Sequence, residues 1–412
     1  MSVLLALTLL SGVVRADLGE SESLVAPYPA HWVWVGDPIL ERTALVDLET
    51  ERLLGVVSSG YRFPLLLHPA GASEFYTIDM FFSRKTRGTR TDAVTVYDAT
   101  SLEPTAEIVI PPKRAVVVTT RSTAAIEDEG RFLAVFNLTP ATSLSVVDLR
   151  ERRFVRELET PGCSLVYAAG PRRFAMLCMD GALLVIDLDE TGAETRRHRS
   201  EPFFDPQEDP VTEKAARWGS RWIFVSFEGF AYSVDLAGER PVFEERWSLF
   251  QDGDRSDDWR IGGTQHLAVH QASGRLYSLV HQGGPHTHKQ AGTEVWVYDL
   301  AKRERLQRIE LESSGLALFM NPIDDEGFAG GLLHWLAGQA MGSVPELAIS
   351  EIAVTQEARP RLVTIGQIGG VAHYDADSGE LLGRAYPGNI TNAGLSLPGA
   401  SGRGVEVGGA SR

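Results

Sequence analysis

One pattern recurs seven times along this chain of 412 residues and constrains its fold more than any other feature. Three or four alternating apolar positions run into an aspartate, and a polar turn follows. It reads "ALVDLETERLLG" at Ala44, "VTVYDATSLEPTAEI" at Val94, "LSVVDLRERRFVREL" at Leu144 and "LLVIDLDETGAE" around Leu184. It returns as "AYSVDLAGERPVF" at Ala231, "VWVYDLAKRERLQRI" at Val295 and "VAHYDADSGELLGRA" at Val371. The marker aspartates are Asp47, Asp98, Asp148, Asp187, Asp235, Asp299 and Asp375, at spacings of 51, 50, 39, 48, 64 and 76 residues. A unit of this length with several short strands predicts an all-β chain, a seven-bladed β-propeller over residues 33–397. One unit cannot bury both apolar faces of its sheet, whereas units packed around an axis cover one another. An aspartate at a strand end accepts backbone N–H bonds in the next turn. Seven of them at equivalent turns lie too far apart to act as a catalytic or metal-binding set.

The runs "RFLAVFNL", "RRFAMLCM", "RWIFVSFE", "RLYSLVHQ" and "RLVTIGQI" each start at Arg and precede a marker strand. They read as the neighbouring antiparallel strand of each blade. Helical signal is scarce. The exception is residues 327–356, where Leu332, Leu333, Trp335 and Leu336 fall at helical spacing. This stretch reads as a partly helical insertion before the last blade, packed on the propeller. The alternative is a partner-binding or membrane-touching element. Residues 398–412, "PGASGRGVEVGGASR", read as a disordered tail.

The formal net charge is −16 and the sequence pI about 5.1, so phosphate backbones repel the chain and nucleic acid is not an expected partner. The apolar run Val3–Val14 is too short for a membrane span, which needs roughly 20 residues. With Val14 and Ala16 flanking Arg15, it fits a secretory signal peptide over residues 1–16, followed by an N-terminal extension over 17–32. Export and no membrane span follow as expectations. Two cysteines, Cys163 and Cys178, flank the turn signal "AAGPRR". A hairpin there would set the sulfurs on neighbouring strands, either bridged or as two buried thiols.

No P-loop, GxSxG, HExxH or dinucleotide-binding glycine motif occurs. His286 and His288 flank Thr287, with His281 and His270 near in sequence, but no third ligand stands at a fixed spacing. The acidic stretches "EDEG" and "DGDRSDD" lack calcium-loop spacing and read as solvated loops. Tyr61 and Phe63 follow Gly60 at a strand-to-loop junction, as pocket lining or as filler between blades. The residues alone thus give an exported acidic propeller without a self-contained catalytic set.

Several stretches are more specific than the repeat. Residues 81–112 carry "SRKTRGTRTD", a marker strand and a double-proline exit. "FNLTPATSLSVVDL", "GCSLVYAAGPRRFAMLCMDGALLVIDL", "DDWRIGGTQHLAVHQASGRLYSLV" and "HKQAGTEVWVYD" follow in order. Together they resemble the heavy (α) chain of quinoprotein amine dehydrogenases, the group of methylamine and aromatic amine dehydrogenase. The resemblance runs from about Val33 to Leu316 and resumes weakly at Arg361–Leu397. It implies a non-catalytic large subunit in a periplasmic α2β2 assembly. The partner light chain would carry tryptophan tryptophylquinone and the catalytic residues. Primary amines would be oxidised to aldehyde and ammonia, with electrons passing to a blue copper protein such as amicyanin or azurin. The resemblance also implies a Cys163–Cys178 disulfide and places Tyr61 at the substrate channel, where the family has Phe; Phe63 takes that place if the alignment slips by two. It makes Arg84, Arg87, Arg90 and Asp92 a structural or subunit-contacting loop. No catalytic residue, metal or cofactor is expected on this chain. The 327–356 stretch departs from the family pattern. The alternative is a stand-alone exported propeller that binds protein or ligand as a scaffold.

Overall fold

The structure is a computed structural model that describes residues 23–62, 65–116, 120–312, 347–368, 370–387 and 394–398. The expected signal peptide and most of the expected tail lie outside these residues. Seven antiparallel sheets of four or five strands follow one another along the chain, as a seven-bladed β-propeller requires. The marker strands are the third strands of the blades, and the Arg-led runs are the second. Register explains the recurring arginine. Arg173, Arg221, Arg275 and Arg361 stand directly across from Asp187, Asp235, Asp299 and Asp375. Cation and carboxylate thus share a rung in four blades; Arg173 and Arg221 lie within 4.0 Å of theirs, whereas Arg275 pairs with Asp377 and Arg361 with Glu357.

Six marker aspartates tie their turns as expected. Asp299 Oδ1, for instance, accepts the N–H groups of Ala301 and Lys302, both at 2.9 Å. The fourth blade departs from this pattern. Asp187 pairs there with Arg173 at 2.5 Å and Arg196 at 2.7 Å, and Asp189 accepts the turn N–H groups of Thr191 and Ala193.

Both faces of each sheet are buried against neighbours. Trp32, Trp34 and Leu45 of blade 1 pack on Leu66, Phe75 and Tyr97 of blade 2. Tyr277, Leu279 and Val295 of blade 6 pack on Ile349, Ile352 and Val354 of blade 7. Each such Val or Leu contributes roughly 1.5–3 kcal/mol when fully buried. The outermost strands face water on alternate residues, as in Glu304–Glu310.

Two elements correct the sequence reading. Leu347–Val354 is a strand, the innermost of blade 7, although the sequence placed it in the 327–356 insertion. It pairs antiparallel with Arg361–Ile368 and buries Ile349, Ile352 and Val354, so the long Asp299–Asp375 spacing includes a blade strand. The helical expectation for residues 327–346 lies outside the described residues. Near the C-terminus, Gly394–Ser396 pairs antiparallel with Trp32–Asp37 and supplies the innermost strand of blade 1. The ring is therefore closed by a blade built from both ends of the chain.

Strand direction defines two faces. All seven third-to-fourth strand turns, with their marker carboxylates, share one face. The second-to-third strand turns and the blade-to-blade connections share the other.

Candidate functional site

Gly60 and Tyr61 lie on the second face, in the connection from Arg52–Ser58 of blade 1 to Leu66–Leu67 of blade 2. Their backbone lies against Glu74–Phe82. The Gly60 N–H donates to Asp79 Oδ1 at 2.8 Å, and the Tyr61 N–H to the Met80 carbonyl at 2.7 Å. A Cβ on Gly60 would lie 2.6 Å from Met80 N and 2.7 Å from its carbonyl oxygen, so only glycine permits this approach. The half-buried Tyr61 ring meets Phe82 edge-on, with centroids 5.7 Å apart. Arg62 adopts a left-handed backbone, φ 58°, and its guanidinium lies 5.9 Å from the Tyr61 ring centre. Phe63 lies outside the described residues.

Asp79 anchors this junction from within the blade. It is 2% exposed, and its Oδ2 accepts the hydroxyls of Thr77 and Thr95 at 2.5 and 2.6 Å. The sequence reading missed it. The signal was a lone carboxylate in the apolar strand "YTIDMFF".

The expected arginine loop divides in two. Arg90 and Asp92 sit on the strand Arg90–Asp98 and form a two-pronged ion pair, both contacts at 2.6 Å. Asp92 also accepts the Arg114 N–H at 2.9 Å, and Arg90 donates to the Arg114 carbonyl at 2.9 Å. Arg114 is 4% exposed; burial lowers its pKa to about 10 against the opposing pull of Asp79 and Asp92. Arg90 and Asp92 therefore hold the fold at the exit of blade 2. Arg84 and Arg87 instead sit exposed at the tip of the same hairpin. That tip is ordered by its own backbone: Arg84 N–H donates to the Arg87 carbonyl at 2.9 Å and Ser83 N–H to the Thr89 carbonyl at 3.0 Å.

Cys163 and Cys178 face each other across Cys163–Gly170 and Arg173–Cys178 and form a disulfide. The histidines do not converge as a set. His270, at the far end of blade 6, contacts Ser273 and the Glu357 carbonyl. His281 bonds Thr287 at 2.9 Å, and His288 stacks on Phe227 at 3.7 Å. Burial pushes the pKa of both down to about 4, so they are neutral at pH 7. Among the described residues no three His, Cys, Asp or Glu side chains are grouped to hold a metal ion.

Further contacts missed in the sequence cross between blades near the axis. Glu351 of blade 7 accepts Arg121 from the entry to blade 3 at 3.1 Å. It also accepts the Leu395 N–H of the closing strand at 2.9 Å and the Thr264 hydroxyl of blade 6 at 3.2 Å.

This arrangement offers an aromatic rim at Tyr61 backed by a polar core, with no nucleophile–base pair beside it among the described residues. The model of the methylamine dehydrogenase heavy chain family matches residues 29–318. The chain belongs to that family. The heavy chain of Paracoccus versutus methylamine dehydrogenase is 32% identical over 305 residues, covering 72% of this chain and 70% of that one. The heavy chain of Methylophilus methylotrophus is 26% identical over 373 residues, covering 84% and 92%. Among solved structures, dihydro-heme d1 dehydrogenase NirN aligns at TM-score 0.53 and 17% identity, over 93% of this chain and 78% of that one. A protein of unknown function from Desulfotomaculum acetoxidans aligns at 0.55 and 10% identity, over 89% and 98%. These two likenesses concern the fold alone. The heavy-chain match ends before the strand Leu347–Val354, so blade 7 lies beyond it.

Proposed function

We propose that this heavy chain is the large, non-catalytic subunit of a periplasmic amine dehydrogenase, exported by a cleaved signal peptide. It scaffolds a light chain bearing tryptophan tryptophylquinone, in an α2β2 assembly that oxidises a primary amine to aldehyde and ammonia. The quinone supplies the two-electron acceptor, and electrons leave to a blue copper protein of the amicyanin or azurin kind. The observation that carries this reading is the heavy-chain family match over residues 29–318. The named relatives are methylamine dehydrogenase heavy chains, so a small primary amine is the proposed substrate class.

Within that reading the chain's own residues shape access. Tyr61 borders the amine channel, held in place by the Gly60 and Tyr61 backbone bonds to Asp79 and Met80. Its phenol adds a polar group to an otherwise apolar rim with Phe82. The decisive experiment is purification of the native protein. A light chain should accompany it, with quinone absorbance and amine-dependent dye reduction. A colourless chain that stays inactive when mixed with added light chain would refute the reading and leave a stand-alone scaffold.

A further inference from the structure

The cleft between blades 5 and 6 holds a group of side chains that the amine reading does not use. It opens on the marker-aspartate face, away from Tyr61. There the outer strand of blade 5 is interrupted. Val242–Phe243 pairs with Phe230–Asp235, the pairing lapses over residues 244–246, and Trp247–Ser248 rejoins the same strand. Beside the interruption lies a cavity of about 240 Å³. Its walls are Trp218, Arg221, Ser233 and Glu244 of blade 5 with Leu300 and Arg303 of the blade 6 marker turn. Ordinary small-molecule pockets measure roughly 300–1,000 Å³, so this one suits a ligand of few atoms.

The walls are held in place and incompletely paired. Trp218 ends the strand Ala216–Trp218, and its Nε1–H donates to the Gln271 carbonyl of blade 6 at 3.3 Å. Gly274, φ 62°, lies against the ring, where a Cβ would come within 2.9 Å. Leu300, 7% exposed, supplies a second apolar wall. Glu244 bridges the two arginines, accepting the Arg221 Nε–H at 2.8 Å and a terminal N–H of Arg303 at 3.2 Å. The terminal nitrogens of Arg221, and Nε and one terminal nitrogen of Arg303, donate to nothing among the described residues. Ser233 is 7% exposed, and its hydroxyl also makes no hydrogen bond among them. Two residues earlier on the same strand, Ala231 packs into the core shared with blade 6, so Ser233 points to that side, where the cavity lies. Buried polar groups are normally paired, so unpaired donors around an apolar slot mark a place for an acceptor.

We propose that this cavity binds a small organic monocarboxylate with a flat apolar body, of the aromatic acid class. The body lies between Trp218 and Leu300. The carboxylate accepts the unused N–H groups of Arg221 and Arg303 and the Ser233 hydroxyl. Glu244 indicates the kind of anion, because the two arginines already hold one carboxylate. A dianionic phosphate meets more repulsion from Glu244 and from Asp235, which stands 4.0 Å from Arg221. Every residue of the site belongs to this chain, so the proposal does not rest on the amine dehydrogenase reading.

The test is calorimetric titration of the native full-length protein with benzoate, its neutral analogue benzamide, and inorganic phosphate. Benzoate should bind saturably and more weakly as ionic strength rises, whereas benzamide and phosphate should not saturate. Arg303→Gln removes a charged donor and should weaken benzoate about ten-fold, the loss of one charged hydrogen bond. Glu244→Gln removes the competing carboxylate and should tighten benzoate several-fold, a change of sign that damage to the fold would not produce. Both side chains are about one-third exposed, so both variants should unfold at the wild-type temperature. Lack of saturable benzoate binding overturns the site. So does binding that neither substitution alters, or phosphate or benzamide bound as tightly as benzoate. Each of these results leaves the amine dehydrogenase reading standing, since that reading is tested by the light chain and its quinone.

Discussion

Glu351→Ala tests how the ring is held shut. The side chain is 12% exposed and joins four blades through Arg121, Leu395, Thr264 and its own strand. Removing it strips the Leu395 N–H and the Thr264 hydroxyl of a charged acceptor, each worth about 1.5–3 kcal/mol. The Arg121 side is a third exposed, so water compensates much of that loss and it adds at most about 1 kcal/mol. The expected destabilisation is about 3–7 kcal/mol, with Arg121→Ala costing less than about 1 kcal/mol. The closing strand is only three residues long, so its opening should precede global unfolding. Urea unfolding gives the magnitude, and amide exchange at Leu395 gives the location. Leu395 should lose most of its protection in Glu351→Ala, while Val94 in blade 2 keeps its own. A Leu395 amide as protected as in wild type, with unfolding unchanged within 1 kcal/mol (below the cost of one lost charged hydrogen bond), would refute a role for Glu351 in closing the ring.

Three further outcomes follow from the geometry. Tyr61→Phe should shift the ratio of kcat/KM values between a polar and an apolar primary amine without altering thermal stability; an unchanged ratio removes Tyr61 from the substrate path. Cys163→Ser/Cys178→Ser opens a bridge across 15 residues and should cost about 3 kcal/mol in urea unfolding, refuted if oxidised and double-mutant proteins unfold alike. Backbone N–H donors hold Asp98, Asp235, Asp299 and Asp375 below the usual carboxylate range. Their contribution is complete above the unfolded pKa of about 3.9 and is lost as pH falls through the lower folded values, so Asp299→Asn should flatten stability against pH only below about pH 4.

The sequence showed the third strands because each is five to nine residues long and, in six of the seven blades, ends in a carboxylate that its turn needs. It showed the second strands because Arg and Asp share a rung. Inner strands were hidden by their brevity. Leu66–Leu67 has two residues, and Ala124–Ile126 and Ala216–Trp218 have three each, too few for any period to register. Leu347–Val354 was long enough, but the wide spacing around it read as an insertion. The core beneath Tyr61 was illegible for another reason. Asp79 reaches residues 60, 77 and 95, and Asp92 reaches 90 and 114, partners that only the folded blade brings together.

Repetition itself limits where function can lie. Residues equivalent in all seven blades sit at equal distances from the axis, so they surround it and do not meet; six of the marker aspartates each serve their own turn, and Asp187 serves its own blade's arginines. A site requires side chains that break the equivalence. The departures here are Gly60 pressed on Met80, the cationic hairpin of blade 2, and the Glu351 contacts that join blades 1, 3, 6 and 7. None belongs to a marker turn. Tyr61 and the hairpin fall on the face opposite the marker carboxylates, among the connections from one blade to the next.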